Sequence, residues 1–135
     1  MTPTPTKEPV AAPRRRWKLG LILIGLVLLP VAGFALYAFT ALHWSYSDGE
    51  RAGILQKFSR KGWLCKTYEG ELAMSIVPGI TPTIWEFSVR DAAVVEALQG
   101  ALGKRVALHY TEHRGVPTTC FAETSYFVDG LHSIR

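Results

Sequence analysis

The chain has 135 residues, a formal net charge of +4 and two cysteines. The positive charge is concentrated at the start: residues 1–18 hold five of the fifteen lysines and arginines and one acid, whereas residues 43–135 hold ten cations and ten acids. A formally neutral segment of ninety-three residues lacks the basic surface of a nucleic-acid-binding protein and is too short for two domains.

An uncharged apolar segment, residues 19–42, directly follows the basic cluster at 14–18. Twenty-four helical residues reach about 36 Å, which spans a hydrocarbon core of about 30 Å with some tilt. We therefore predict a transmembrane helix over 19–42. Residues 1–18 form a predicted disordered basic tail, because their Thr-Pro sequence offers little apolar surface to bury.

The basic cluster also predicts the orientation of this helix. Lysine and arginine stay on the cytoplasmic side, which places the N-terminus in the cytoplasm and the predicted domain, 43–135, outside it. The alternative is a cleaved signal peptide, whose apolar region has about 7–15 residues and ends in a small-x-small site. Here the run is longer, and its nearest such motif, Gly33-Phe34-Ala35, lies within it. An uncleaved signal-anchor is the favoured interpretation.

The sequence pattern of residues 43–135 predicts five strands and one helix. The predicted strands cover 51–59, 63–74, 83–89, 105–112 and 120–128, and the helix runs from Asp91 to Gly103, between the third and fourth strands. Alternation is clearest where Trp85, Phe87 and Val89 share one side. We therefore predict a small α+β, mostly antiparallel β domain, with an OB-like barrel (β-β-β-α-β-β) favoured. A curved α+β sheet has the same element order.

The two cysteines are predicted to form a disulfide. Outside the cytoplasm disulfides persist, which favours a bond between Cys65 and Cys120. In an OB barrel these residues follow the β1–β2 and β4–β5 loops, which flank the same pole. Two separate buried thiols are the alternative.

No metal site or cofactor is predicted. The spacing of His109 and His113 suits a shared metal on a helix, but the surrounding alternation predicts a strand, where the two rings lie roughly 13 Å apart. A zinc ion needs both nitrogens within about 2.1 Å, so these are expected to be ordinary surface histidines.

No catalytic residue is predicted either. Glu69 and Glu71 lie about 7 Å apart on one predicted strand face, but an outward polar face produces such pairs routinely. Cys120 with His109 or His113 lacks a nucleophile signature, and a disulfide would consume the thiol. No nucleophile elbow, P-loop or dinucleotide fingerprint occurs.

A binding surface is the better-supported prediction, because charged and aromatic residues collect near the predicted loop pole. These residues are Lys57, Lys61, Trp63, Lys66, Tyr68, His113, Arg114 and Phe121. The alternative is that the charged residues form a solvated rim and the aromatic residues pack into the core, which would give the same sequence pattern.

Three segments carry a resemblance to a known family: 46–53 (YSDGERAG), 57–72 (KFSRKGWLCKTYEGEL) and 120–128 (CFAETSYFV). Over nearly all of 44–130 the chain resembles a family of small uncharacterised bacterial single-pass membrane proteins. The resemblance implies no catalytic residues. Members often bear the label 6-phosphogluconate dehydrogenase, an activity that needs a dinucleotide-binding unit and a large helical domain. Ninety-three residues cannot hold both, so that activity is not expected.

The sequence thus predicts a module of unknown ligand, anchored in a bacterial inner membrane, that serves binding or assembly outside the cytoplasm. Two other functions remain open: a structural accessory subunit of an envelope complex, and a small enzyme of unrecognised type. The expected partners are the membrane and an envelope protein.

Overall fold

The computed structural model describes residues 2–4, 6, 14–74 and 77–133. The chain divides into two compact units, Met1–Leu36 and Tyr37–Arg135. Part of the predicted tail, residues 1, 5 and 7–13, lies outside the described residues.

A single long helix, α1 (Arg14–His43), contains the apolar segment. Among the described residues it is the one helix that is long and apolar enough to cross a membrane. The large apolar side chains of residues 19–36 are exposed rather than packed into a protein core. Helix α1 begins five residues before the predicted span, so residues 14–18 are helical and were wrongly assigned to a disordered tail. Arginine and lysine are good helix formers and extend a helix that the apolar segment nucleates.

The second unit contains a small, mostly antiparallel sheet. Its elements are β1 (Ser47–Lys61), β2 (Thr67–Ala73), β3 (Ile84–Val89), α2 (Ala92–Gln99), β4 (Arg105–Glu112) and β5 (Tyr126–Ser133). The strand order is β1-β2-β3-β5-β4, and β4 pairs back with β1, so the sheet closes on itself. Only β3 and β5 run parallel, through the single pair Ser88 and Phe127.

Strand β1 serves two neighbours because it is long. Its first half pairs with β4 and its second half with β2, with a register shift between Leu55 and Lys57. Gly53 permits a close crossing, since a Cβ atom there would lie 2.3 Å from the carbonyl oxygen of Ala73. The predicted strand, 51–59, was too short at both ends because the partners that prolong it lie far away in sequence.

The core lies inside the closed sheet and under α2. Its most deeply buried side chains are Leu55, Leu72, Phe87, Leu98, Val106, Leu108 and Val128. Asp91 caps α2 as predicted, accepting a 2.8 Å hydrogen bond from the amide of Ala93. The helix ends at Gln99 rather than at Gly103, and Leu102, which falls within the predicted helix, is exposed.

Two predicted strands started too early. Strand β2 begins at Thr67 rather than 63, and β5 begins at Tyr126 rather than 120. In both cases the residues that were predicted as strand, but are not, form a loop that contains a cysteine. Apolar residues such as Trp63, Leu64 and Phe121 continue the alternation of a strand, so a sequence pattern does not distinguish these loops from paired backbone.

Candidate functional site

Two loops border the outer surface of β2 and β3. They are the β1–β2 loop, residues 62–66, and the β4–β5 loop, residues 113–125. A disulfide between Cys65 and Cys120 joins them, with the Cα atoms 4.8 Å apart. The bond therefore holds together two loops whose cysteines are 55 residues apart in sequence.

Over β1, β2 and β3, beside the β4–β5 loop, lies a cavity of about 110 Å³, which we call the loop-bounded face. It is lined by Lys57, Lys61, Glu69, Gly70, Glu71, Glu86, Glu123 and Thr124. Four carboxylates thus meet two ammonium groups, so the face is acidic overall.

Both lysines of the loop-bounded face form ion pairs. Lys57 Nζ lies 2.8 Å from Glu71 Oε1, and this hydrogen bond raises the pKa of Lys57 above its ordinary value. Lys61 Nζ lies 3.7 Å from Glu123 Oε2. The side chains are partly exposed, and ion pairs that water can screen contribute little to stability. A ligand that offers equivalent groups can therefore replace either partner at low cost.

Glu69 is the buried member of this face. Its carboxylate accepts a 2.5 Å hydrogen bond from the Ser88 hydroxyl and a 3.2 Å bond from the amide of Glu123. The sequence placed Glu69 on an outward, solvated strand face. That was wrong because the β4–β5 loop covers this position, leaving Glu69 5% exposed.

Ser88 and Thr124 extend the network into the β4–β5 loop. The amide of Thr124 donates to Ser88 Oγ at 3.2 Å, and the two hydroxyl oxygens lie 2.7 Å apart. The Thr124 hydroxyl also donates to the carbonyl oxygen of Tyr126 at 3.0 Å. Sequence reasoning missed both residues, because the contact depends on a loop that folds back across β3.

The tip of the β1–β2 loop is apolar and exposed. Trp63 and Leu64 have relative exposures of 103% and 97%, and Lys66 beside them is exposed. Gly62 makes the turn with a φ of +134°, and a Cβ atom there would lie 1.7 Å from the carbonyl oxygen of Cys65. Only glycine fits that position, so the shape of the loop is closely defined.

His113 and Arg114, predicted for the same binding surface, instead contact the last turn of α1 and the segment that joins α1 to β1, respectively. His113 Nδ1 donates to the carbonyl oxygen of Ala41 at 3.1 Å, and Arg114 stacks on the ring of Tyr46 at 3.6 Å. His113 is buried, contrary to the prediction of a surface histidine, because the helix end and Phe127 cover it.

A further contact in this region was missed from the sequence. The Tyr37 hydroxyl donates a 2.8 Å hydrogen bond to the carbonyl oxygen of Gly115 in the β4–β5 loop. A tyrosine near the end of an apolar segment is typical of a membrane interface. Its partner lies 78 residues later in the sequence, so no local pattern predicts the contact.

The predicted binding residues therefore divide into separate groups. Lys57 and Lys61 line the loop-bounded face, and Trp63 and Lys66 lie at the loop tip. Tyr68 packs against the core, with its ring stacked on Phe58 at 5.8 Å. Phe121 is half-buried in the β4–β5 loop.

Several acidic, cysteine and histidine side chains of the sheet domain already have bonding partners. Within the described part of the chain, no group of three or more His, Cys, Asp or Glu side chains is placed to hold a metal ion. Glu69 and Glu71 both have hydrogen-bond donors bound, and the two cysteines are oxidised. His109 lies elsewhere, its Nδ1 donating to Asp129 Oδ1 at 2.5 Å.

Comparison with known proteins identifies one family. Residues 44–129 match a family model described as a domain of unknown function (DUF8785). No curated protein and no solved structure matches the chain. The matched segment covers β1 to β4, both loops and the first half of β5. It also covers nearly all of 44–130, the range over which the sequence resembles an uncharacterised family. The chain belongs to the DUF8785 family.

Proposed function

We propose that this protein is a binding module anchored in the inner membrane of a bacterium. Helix α1 spans the bilayer as an uncleaved signal-anchor, with the N-terminus in the cytoplasm and the sheet domain outside. The exposed apolar surface of α1 and the basic cluster at 14–18 support this arrangement. The disulfide supports it independently, because such bonds persist in oxidising compartments.

The closed sheet is, in this proposal, a barrel of the OB type. Five strands with one helix between the third and fourth support that assignment. So does the closure of the sheet through β4 and β1. OB barrels bind ligands on the face of their second and third strands, between the β1–β2 and β4–β5 loops.

The observation that carries the binding function is the loop-bounded face itself. If the OB assignment is right, a barrel of this type binds ligands on this side of β2 and β3. The face also presents two partly exposed ion pairs that a partner can replace. Its four carboxylates make nucleic acid an unsuitable ligand. A polar segment of an envelope protein, offering both hydrogen-bond donors and acceptors, fits the mixture of ammonium and carboxylate groups.

Site-specific crosslinking in intact host cells tests the binding role. A photo-reactive amino acid at Glu86, which is exposed on the loop-bounded face, is expected to capture a discrete protein partner. The matched control is the same amino acid at Glu96, which is exposed on α2. Absence of adducts from position 86, or the same adducts from both positions, would contradict the proposal.

Reporter fusions test the anchor separately. A periplasmic phosphatase fused after Arg135 is expected to be active, and a fluorescent protein that folds only in the cytoplasm is expected to stay dark. The reverse pattern would overturn the orientation.

A further inference from the structure

The loop tip formed by Trp63 and Leu64 has no role in the loop-bounded face. Outside α1, these two side chains are the most exposed large apolar groups among the described residues. Single exposed apolar residues are ordinary, but two adjacent ones at the end of a loop form a continuous apolar projection.

This projection is held in place rather than free to fold back. Cys65 follows Leu64 directly and is bonded to Cys120, and Gly62 fixes the turn before Trp63. The loop therefore needs little further ordering when it meets a partner, which lowers the entropic cost of binding.

Cations flank the apolar tip on both sides. Arg60 and Lys61 precede it and Lys66 follows it. Of these, Lys61 forms an ion pair with Glu123, with Nζ 3.7 Å from Oε2. An apolar tip that contains tryptophan and is bordered by basic residues matches the chemistry of a bilayer interface with anionic lipids, where indole rings settle at headgroup level.

The connection to α1 keeps this loop near a membrane surface. Tyr37 lies five residues before the end of the uncharged apolar segment 19–42, so in the proposed anchor it lies near the outer headgroup region. Tyr37 is hydrogen-bonded to Gly115, at the start of the β4–β5 loop. From Gly115 to Cys120 the chain spans at most about 18 Å. The disulfide therefore holds the β1–β2 loop within a short distance of the headgroup region.

We propose that Trp63 and Leu64 insert into the interface of the bilayer that α1 spans, with Arg60 and Lys66 contacting anionic lipid headgroups. This inference rests on the proposed membrane anchor and not on the binding role of the loop-bounded face. Two points of attachment, α1 and the loop tip, would fix the orientation of the domain relative to the membrane plane. The orientation of the loop-bounded face would then be fixed as well.

Depth-dependent quenching tests the proposal with the full chain in vesicles of phosphatidylcholine and phosphatidylglycerol. Acyl chains brominated near the headgroup quench tryptophan, and subtracting the signal of Trp63→Phe from that of the wild type isolates Trp63. We expect bromination to remove more than half of the Trp63 signal. In the Trp63→Phe background, a tryptophan placed at exposed Ile80, which has no charged residue within five positions in the sequence, is the control and is expected to lose less than a fifth of its signal.

Two further variants test the basic residues. Arg60→Gln with Lys66→Gln is expected to reduce the quenching of Trp63 at least twofold in anionic vesicles, whereas Lys104→Gln is expected to leave it unchanged. Equal quenching at positions 63 and 80 would overturn the proposal, and so would quenching that is unaffected by Arg60→Gln with Lys66→Gln.

Flotation of the same vesicles separates the two hypotheses. Loss of flotation would overturn the anchor itself, whereas flotation with an unquenched Trp63 would overturn only the loop-tip contact. The latter result is also the one expected if the tip binds a protein instead.

Discussion

The hydroxyl of Ser88 in β3 donates a 2.5 Å hydrogen bond to the carboxylate of Glu69 in β2. Both residues lie on the outer side of the sheet, and both are buried because the β4–β5 loop crosses over them. The amides of Glu123 and Thr124 in that loop donate to Glu69 and Ser88, respectively. A loop without regular secondary structure is thus attached to the sheet through two polar side chains.

We predict that Ser88→Ala lowers the free energy of unfolding by about 1.5–3 kcal/mol, because the carboxylate of Glu69, which is only 5% exposed, loses a hydrogen-bond donor. Urea unfolding of the full chain in detergent, followed by near-ultraviolet circular dichroism, measures the change. Ser125→Ala is the matched control, since that side chain is exposed, and its effect is expected to stay within about 0.5 kcal/mol. Equal effects of the two substitutions would contradict a special role for Ser88.

These two residues show how far the sequence could predict the fold. Period-two alternation correctly placed Trp85, Phe87 and Val89 in the core, because a strand buried on one face imposes that pattern directly. The same rule puts Ser88 and Glu69 on the outer side of the sheet, where they do lie, and predicts that they are solvated. That inference fails where a loop covers the outer face, since alternation records the two sides of a sheet and not what later covers them.

The candidate site could be predicted only in part for a related reason. Lys57 and Lys61 were identified because charge near a predicted loop pole is visible in the sequence. Glu86 and Glu123 were missed as members of the same face. The Glu71–Glu86 pairing depends on the β2–β3 register, and the Lys61–Glu123 pair on the folded loop. Neither is encoded by local spacing.

A second prediction concerns the contact between Gly115 and Tyr37. Gly115 has a φ of +76°, and a Cβ atom there would lie 2.8 Å from the Tyr37 hydroxyl. We expect Gly115→Ala to combine about 1 kcal/mol of backbone strain with loss of the hydrogen bond from Tyr37. Faster amide hydrogen exchange across residues 113–117 measures the weakened contact.

Gly79→Ala provides the control for backbone strain alone, since Gly79 has a φ of +88° and open space around its Cβ position. It should destabilise the protein less than Gly115→Ala and leave hydrogen exchange at 113–117 unchanged. In the Tyr37→Phe background, the cost of Gly115→Ala should fall because the clash is with the missing hydroxyl. Additive effects of the two substitutions would show that the contact is not energetically coupled.

The third prediction is a pH dependence that arises from His109 and Asp129. The hydrogen bond from His109 Nδ1 to Asp129 raises the pKa of His109 above its ordinary value of about 6.5. A raised pKa in the folded state stabilises the fold fully below the unfolded-state pKa, and the effect disappears as pH rises through the folded-state pKa. We therefore expect Asp129→Asn to lower the melting temperature at pH 5.5 and to leave it nearly unchanged at pH 9.

Titration of the His109 ring by NMR checks the cause. Asp129→Asn should lower the pKa of His109 more than Glu50→Gln does, because Glu50 contributes only a weaker charge interaction. Both side chains of the pair are partly exposed, so high salt should reduce the effect. A His109 pKa that is the same in wild type and Asp129→Asn would exclude this origin.

The fourth prediction concerns Arg51, whose guanidinium lies inside a group of three aromatic rings. The distances from Arg51 Cζ to the ring centroids are 4.9 Å for Trp85, 5.3 Å for Tyr110 and 5.5 Å for Tyr126. The rings also contact one another edge to face, so the cation holds together side chains from β3, β4 and β5.

Arg51→Met keeps the apolar stem and removes the charge, and we expect it to lower the free energy of unfolding by about 1–2 kcal/mol. Arg60→Met is the control, because Arg60 is exposed and lies 5.8 Å from a single ring, that of Tyr68. Its effect should stay within about 0.5 kcal/mol in the same urea titration. If Arg51→Met is as stable as the wild type, the packing of the rings alone closes this part of the sheet and the cation contributes nothing.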